Sequence, residues 1–491
     1  MNQIFLLLVI LIPMIGGALV PVLPFRNRVQ KCIYIETIVI LNSILVFLVL
    51  CNPPAQAFEL IHFTGDLTIS FKVDGMSMVF GGLVAALWPL ATLYSFEYMK
   101  HEGHENYFFI FYVMTFGVTV GIALSSNLVT MYFFYELLTL VTVPLVVHTL
   151  SREAILASRK YLYYSLGGAA FAFIGLIFII AYGDTTEFIM GGVILEELVA
   201  SKTDILLLIY VMAFFGFGVK AAICPFNSWL PQAGVAPTPV TALLHAVAVV
   251  KAGAFAIIRL TYYSFGTEFL RGTWAQNVVM IVVIFTIVYG CSRAVKETHL
   301  KRRLAYSTIS NLSYILFGVV IMTPLGLLGA LTHMLFHAVM KICSFFCAGA
   351  IMYKGHKHYV HELDGLGRQM PIVFSIFTVS AFALMGVPGL AGFISKWNLA
   401  TAAVASENVM AYVGIGALLV SALLTAIYML TIVMRAFFPQ KDFDYETVKD
   451  IHDPNWMMIL PLCVFTILII IFGVYSEPIV NFLTNVANGV Y

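Results

Sequence analysis

With 491 residues, 61% of them hydrophobic, 10% charged and a mean hydropathy of +0.96, the chain lies far from the roughly 25% charged residues of an ordinary soluble domain and belongs in a bilayer. A formal net charge of +1 leaves no basic field to draw nucleic acid, and that class of partner is set aside. The seven cysteines (Cys32, Cys51, Cys224, Cys291, Cys343, Cys347 and Cys463) show no CxxC or Cys/His ligand spacing, so they read as small buried hydrophobes, and no metal, cofactor or redox centre is expected.

A hydrocarbon core of about 30 Å needs about 20 apolar residues per helix. On that ruler the chain is an all-α polytopic membrane protein of about fourteen spans, at 3–22, 31–52, 75–96, 107–125, 127–149, 161–182, 203–223, 238–262, 276–292, 304–323, 326–353, 371–399, 409–436 and 457–483. The first span lacks a basic start and a small-residue cleavage site, and reads as a retained membrane helix. Between the second and third, "FELIHFTGDLTISFKVDG" sets a Thr-Gly-Asp turn between β-prone residues and predicts a short surface hairpin. Residues 187–201 predict a short amphipathic helix. Of the 26 lysines and arginines, eighteen fall in alternate loops from the one after the first span, against four (Lys72, Lys202, Arg259 and Arg271) on the other side. The richer side is therefore expected in the cytoplasm, and an even number of spans puts both termini outside a cell membrane.

Four basic residues remain, all inside spans: Lys220, Lys251, Lys341 and Lys396. A lysine at mid-membrane costs about 2.5–3.5 kcal/mol on insertion scales, so such residues persist where they face a bundle interior or a hydrated path. One lysine near a helix end can snorkel to the interface; four on four helices argue for a shared purpose. The deep acid is Glu136, in "MYFFYELLTL", whose partner must come from another helix, whereas Glu36 lies nearer a helix start, where snorkelling suffices. In "LTHMLFHAVMKICSFF", His333, His337 and Lys341 follow one another at i, i+4 and i+8, a polar stripe about 12 Å long on one face. Two histidines in register with a lysine favour a proton relay over simple packing. His245 and Lys251, six residues apart, can serve one path only if their helix is distorted or other helices bridge them.

Two helices look broken beside a lysine. Pro225 and Pro231 flank "PFNSWLP" after Lys220, and Gly386, Pro388, Gly389 and Gly392 precede Lys396. Irregular backbone at this depth is tolerated where it is buried in protein or lines a cavity. The breaks fall five helices apart, as expected of two inverted five-helix repeats, helices 4–8 and 9–13. The expected organisation is 1–106 for the first three helices, 107–262 and 276–436 for the repeats, and 437–491 for the last helix. An inert scaffold, or a lone transporter of an organic solute, has no need of this row of lysines.

The stretches "VDGMSMVF" (73–80), "SSNLVTMYFFYELLTL" (125–140), "GFGVKAAICPFNSWLPQAGVAPTPVTALLHAVAVVKAG" (216–253), "LKRRLAYSTISNLSYILFG" (300–318), "HMLFHAVMKICSFFCAG" (333–349), "LDGLGRQMP" (363–371) and "GVPGLAGFISKW" (386–397) carry a resemblance. The sequence resembles the antiporter-like subunits shared by respiratory complex I, the multi-subunit Mrp Na+/H+ antiporters and the membrane-bound energy-converting hydrogenases. The resemblance implies an ion pair between Glu136 and Lys220, a central lysine at Lys251, a second half-channel around Lys341 and Lys396, and relay roles for His245, His333 and His337. It implies a proton-translocating subunit of an electron-transfer complex, complex I-like or hydrogenase-type, driven by homologous and small membrane subunits. The alternative is a subunit of an Mrp-type antiporter, in which Na+ also moves. The sequence departs from the family pattern at Tyr135 (usually tryptophan), Asn227 (often histidine), Gln232 (often acidic) and His299 (commonly acidic). Lys396 stands where some members carry glutamate.

Overall fold

The computed structural model describes residues 2–65, 67–195, 202–440 and 442–490. The described chain is mostly helix, the arrangement in which a backbone in hydrocarbon satisfies its own N–H and C=O groups. In chain order the main helices are α1 (Ile4–Leu19), α2 (Arg28–Cys51), α3 (Gly75–Tyr98), α4 (Glu105–Ala123), α5 (Leu128–Val146), α6 (Arg152–Tyr182) and α7 (Thr203–Gly218). After a break and the short turn Trp229–Ala233 come α8 (Thr238–Phe265), α9 (Trp274–Lys296), α10 (Leu300–Val320) and α11 (Pro324–Gly355). Then follow α12 (Pro371–Met385, resuming at Ala391–Ala405), α13 (Val409–Phe437), α14 (Trp456–Val474) and α15 (Glu477–Ala487). Ten of these are long and apolar enough to cross a membrane.

Polar side chains set the starts. Asn27, Asp74, Asn127, Ser151, Thr273 and Thr323 each accept a hydrogen bond from a first-turn backbone amide. The Ser151 cap explains why α6 begins nine residues before the predicted 161: its first two turns are polar and invisible to a hydropathy ruler. The predicted last span also differs. The helix stops at Val474 and restarts at Glu477, where Pro478 cannot donate to a continuing helix.

The hairpin forms as expected, β1 (Phe58–Thr64) antiparallel to β2 (Leu67–Phe71), with the turn residue Asp66 outside the described residues. Residues 187–195 are not the expected helix. Gly191 and Gly192 take φ of +104° and +102°, and the strand-like segment bonds outward, Gly191 N to Tyr262 O and Val193 N to Ser264 O. The rest of that prediction, 196–201, lies outside the described residues. Of the cysteines only Cys291, Cys343 and Cys347 are buried; Cys51 is exposed, because the outer face of a membrane helix is itself apolar.

Burial then sorts the helices. Along α2, α6 and α13 large apolar side chains stay exposed on one face, whereas α8 is buried all round and α11 nearly so. These two helices, one carrying His245 and Lys251 and the other His333, His337 and Lys341, form the centre of the bundle. The structure also corrects the placement of three bases counted as loop residues. Arg259 is fully buried within α8, and Lys301 and Arg303 are buried in the first turn of α10, because protein rather than water surrounds those helix ends.

A row of buried amines and histidines as the candidate ion path

At one end of the row, Glu136 on α5 faces Lys220 at the α7 break, with Oε1 3.8 Å from Nζ. The ammonium also donates to the Tyr135 carbonyl and sits 3.3 Å from the centre of the Tyr135 ring, so the tyrosine in place of the usual tryptophan supplies an aromatic face for the cation. Lys220 is fully buried, while the Glu136 side chain keeps 23% of its surface open at the flank of the bundle.

Lys251 comes next, joined to the α7 break through backbone packing. Gly253 approaches so closely that a Cβ there would stand 2.5 Å from Ala221 N and 3.0 Å from Lys220 Cβ. The helix carrying Lys251 is distorted, one of the two conditions under which His245 and Lys251 could serve one path. It is wound as a π-helix over Leu243–Val247, returns to α at Val249 and widens again over Arg259–Phe265. Lys251 Nζ lies 2.9 Å from His337 Nδ1 on α11. His337 stacks on His333 with ring centres 5.6 Å apart, and His333 Nδ1 meets Ser395 Oγ at 2.9 Å. Ser395 adjoins Lys396, so the contacts run from α8 across α11 to the resumed half of α12.

The break in α12 explains where Lys396 points. Gly386, at φ +94°, ends the first half with bonds to Phe382 O and Ala383 O, and Val387 N also turns back to Phe382 O. The carbonyls of Leu384 and Met385 are left without helical donors, and Lys396 Nζ takes both, at 2.7 and 2.9 Å. Lys341 leaves the histidine stripe. Its Nζ donates to Ser307 Oγ on α10 at 2.7 Å, and Ser307 also accepts from Tyr428 OH of α13 at 2.6 Å. His245 makes no direct bond to the row. Both ring nitrogens lack partners and the ring packs 4.9 Å from Phe345, with Lys341 and Lys301 as the charged groups acting on it.

Among the described residues, buried polar atoms without a hydrogen bond include Glu136 Oε1, both His245 nitrogens and Nε2 of His333 and His337, and also Thr139 Oγ1, Asn227 Nδ2 and Asn311 Oδ1. Buried polar groups in this number call for water. On the face predicted to be cytoplasmic, a cavity of about 640 Å³ is lined by Glu102, Glu153, His299, Lys301 and His358. Burial first, then Lys301 and Arg302, push the His299 imidazole there down to about 4. Lys301 Nζ donates to the carbonyl of Ala236, another lining residue, at 2.8 Å.

Sequence reasoning missed Ser307, Tyr428 and Ser395, which hold the titratable groups but have no composition signature. It also missed a pair away from the row, the fully buried Arg259 to the half-buried Asp74, with two hydrogen bonds of 2.6 and 2.8 Å. A basic residue inside "AFAIIRLTYYSF" and the acid of "VDGMSM" were the available pointers.

Residues 125–433, the stretch holding every member of the row, match the family model described as "NADH:quinone oxidoreductase/Mrp antiporter, TM". The chain belongs to this family. Residues 61–109 additionally match the model for the N-terminus of chain 5 of NADH-ubiquinone oxidoreductase. Among curated family members, NAD(P)H-quinone oxidoreductase chain 4 2 of Trichodesmium erythraeum is 28% identical over 88% of this chain and 77% of its own length. An Na+/H+ antiporter subunit of Alkalihalophilus pseudofirmus is 30% identical over 84% of this chain and 53% of its own length. A chain of the archaeal membrane-bound sulfane sulfur reductase superposes with a TM-score of 0.84 at 22% identity, covering 100% of this chain and 98% of that one. The protein is thus an antiporter-like, polytopic membrane subunit with the fold of this family, whose relatives are subunits of larger membrane assemblies.

Proposed function

We propose that this subunit carries protons across the membrane through Glu136, Lys220, Lys251, His337, His333 and Lys396, with Lys341 and His245 linking the row to the cytoplasmic cavity. The observation that carries the reading is the 2.9 Å contact between Lys251 and His337. It joins two helices buried in the bundle centre, each bearing groups that can take up and release a proton. Lysine and histidine without counter-ions at such depth are costly and of little use to packing. The Glu136–Lys220 pair acts as the switch: a near carboxylate holds the lysine charged, and its withdrawal or neutralisation sends the proton on toward Lys251.

The architecture that fits this role has fourteen crossings: the ten long helices plus α1, α7, α10 and α12. Helices α4–α8 (107–262) and α9–α13 (276–436) form two inverted repeats, each with its fourth helix broken, flanked by 1–106 and 437–491. Loop contacts support alternating sides. The β-hairpin, Ser125–Asn127 and Glu187 meet on one face, and His299 meets Tyr359 on the other. With the lysine-rich face in the cytoplasm, both termini lie outside a cell membrane.

The open edge of Glu136 implies a partner, since a carboxylate at this depth is not left against lipid; a homologous or small membrane subunit covers it. Driving energy comes from those partners, in the first reading from electron transfer. The identity to the Na+/H+ antiporter relative supports the second, in which an ion gradient drives exchange with Na+. The test is Lys251→Met in the assembled complex, with proton uptake and radioactive Na+ uptake measured in vesicles. Loss of proton uptake with normal subunit content is expected, and wild-type uptake overturns the path. Na+ flux in the unsubstituted complex selects the second reading.

A further inference from the structure

Helices α2, α3 and α4 stand apart from the lysine row, yet they bury a second group of polar atoms with no hydrogen-bond partner: Glu36 Oε2, Asn42 Oδ1 and Nδ2, Ser43 Oγ, Trp88 Nε1 and Tyr112 OH. Asn42 and Tyr112 are fully buried and Trp88 is 1% exposed. Glu36 keeps part of its side chain exposed, but its Oε2 is covered by protein. Arg28 and Lys31, the bases nearer its helix end, are both taken by Glu105 at 2.5 and 2.8 Å, so the carboxyl has no ion-pair partner among the described residues.

At about 1.5 Å rise and about 100° per residue, Glu36 lies about 12 Å inside α2, Ser43 about 10.5 Å deeper on the same face, and Asn42 about 9 Å deeper and about a third of a turn round. Tyr112 approaches from α4 close enough to feel the Glu36 charge, and its ring lies 5.6 Å from that of Trp88 on α3. The Ser95 and Thr92 hydroxyls beside Tyr112 donate to Ala91 O and Trp88 O. Cys32, one turn before Glu36, is the other titratable neighbour.

The donor set selects the occupant. Trp88 Nε1 and the Asn42 amide nitrogen can only donate, and a bare cation cannot satisfy them; water can serve both these donors and the oxygens. We propose that α2–α4 enclose a proton-binding site separate from the row: a short water file from Glu36 to Asn42 and Ser43, with the Glu36 carboxyl as acceptor. A hydrated proton passes to Glu36 Oε2, forming the O–H bond of a carboxylic acid and leaving neutral water, and the reverse step releases it. No electrons move. An ionised carboxylate with no cation at this depth is costly, so the resting site holds its proton.

Infrared spectroscopy of the assembled complex in membranes tests this. A carboxylic-acid C=O band that disappears in Glu36→Gln, and that shifts in D2O on a timescale lengthened by Asn42→Leu, is the expected result. No band lost in Glu36→Gln means an ionised side chain, and a band insensitive to D2O means a dry one; either overturns the site. Should Glu36→Gln fail to assemble, Tyr112→Phe serves instead. It is expected to move the band by removing one hydrogen bond of the file, and an unmoved band also overturns the proposal. Lys251→Met leaves this band in place, so the outcome is independent of the transport reading.

Discussion

Glu136→Gln removes one charge and almost no volume, which isolates the switch from the scaffold. At the observed 3.8 Å between Glu136 Oε1 and Lys220 Nζ, two unit charges attract by about 4 kcal/mol at an effective dielectric of about 20. That corresponds to about a thousandfold bias in where the proton resides. Screening at the 23% of the glutamate that remains open reduces this, and an effect of at least about tenfold on coupled transport survives the discount. Assembly is expected to stay normal, because Lys220 retains the Tyr135 carbonyl and the Tyr135 ring 3.3 Å away. The assay is proton uptake by membrane vesicles, normalised to complex content on a blot. Uptake within about twofold of wild type, at equal content, would refute the switch and leave Lys220 as a packing group.

Lys341→Met fills similar space without a titratable group and leaves Ser307 paired with Tyr428; transport is expected to be lost with normal assembly, and unchanged uptake would remove Lys341 from the path. Arg259→Met takes from Asp74 its bidentate partner and leaves it the Ser77 bonds and 23% exposure, so the cost falls below the about 3–5 kcal/mol of a fully buried broken pair. Depleted subunit in blotted membranes is expected, and full content would show the pair to be dispensable. The chain purified alone and placed in liposomes is expected to show no coupled ion flux with a pH-sensitive dye, and coupled flux would remove the need for partner subunits.

Much of the proposed path is legible in the sequence for one reason. Charge in hydrocarbon is expensive enough that Glu136, Lys220, Lys251, Lys341 and Lys396 stand out against an apolar background wherever they fall. Proline and glycine marked the breaks in α7 and α12 because their backbone chemistry is local. The same reasoning failed where cost is low or shared. Ser307, Ser395 and Tyr428 are ordinary helix residues, and only the meeting of α10, α11, α12 and α13 makes Ser307 a partner of Lys341, Ser395 a partner of His333 and Tyr428 a donor to Ser307.

The sequence by itself determined the solvent of this protein, the approximate positions of its helices and which helices carry charge, since each follows from the hydropathy and backbone limits of a short stretch. Tertiary structure decided which neighbour each charge meets. It turned Lys341 away from its own histidine stripe toward Ser307, drew Lys396 to the carbonyls of its own broken helix, and took Arg259 out of the loops into a pair with Asp74 185 residues away. Such pairings depend on the rotation and depth of whole helices relative to one another. Those are set by packing across the entire bundle, and no window of sequence contains them.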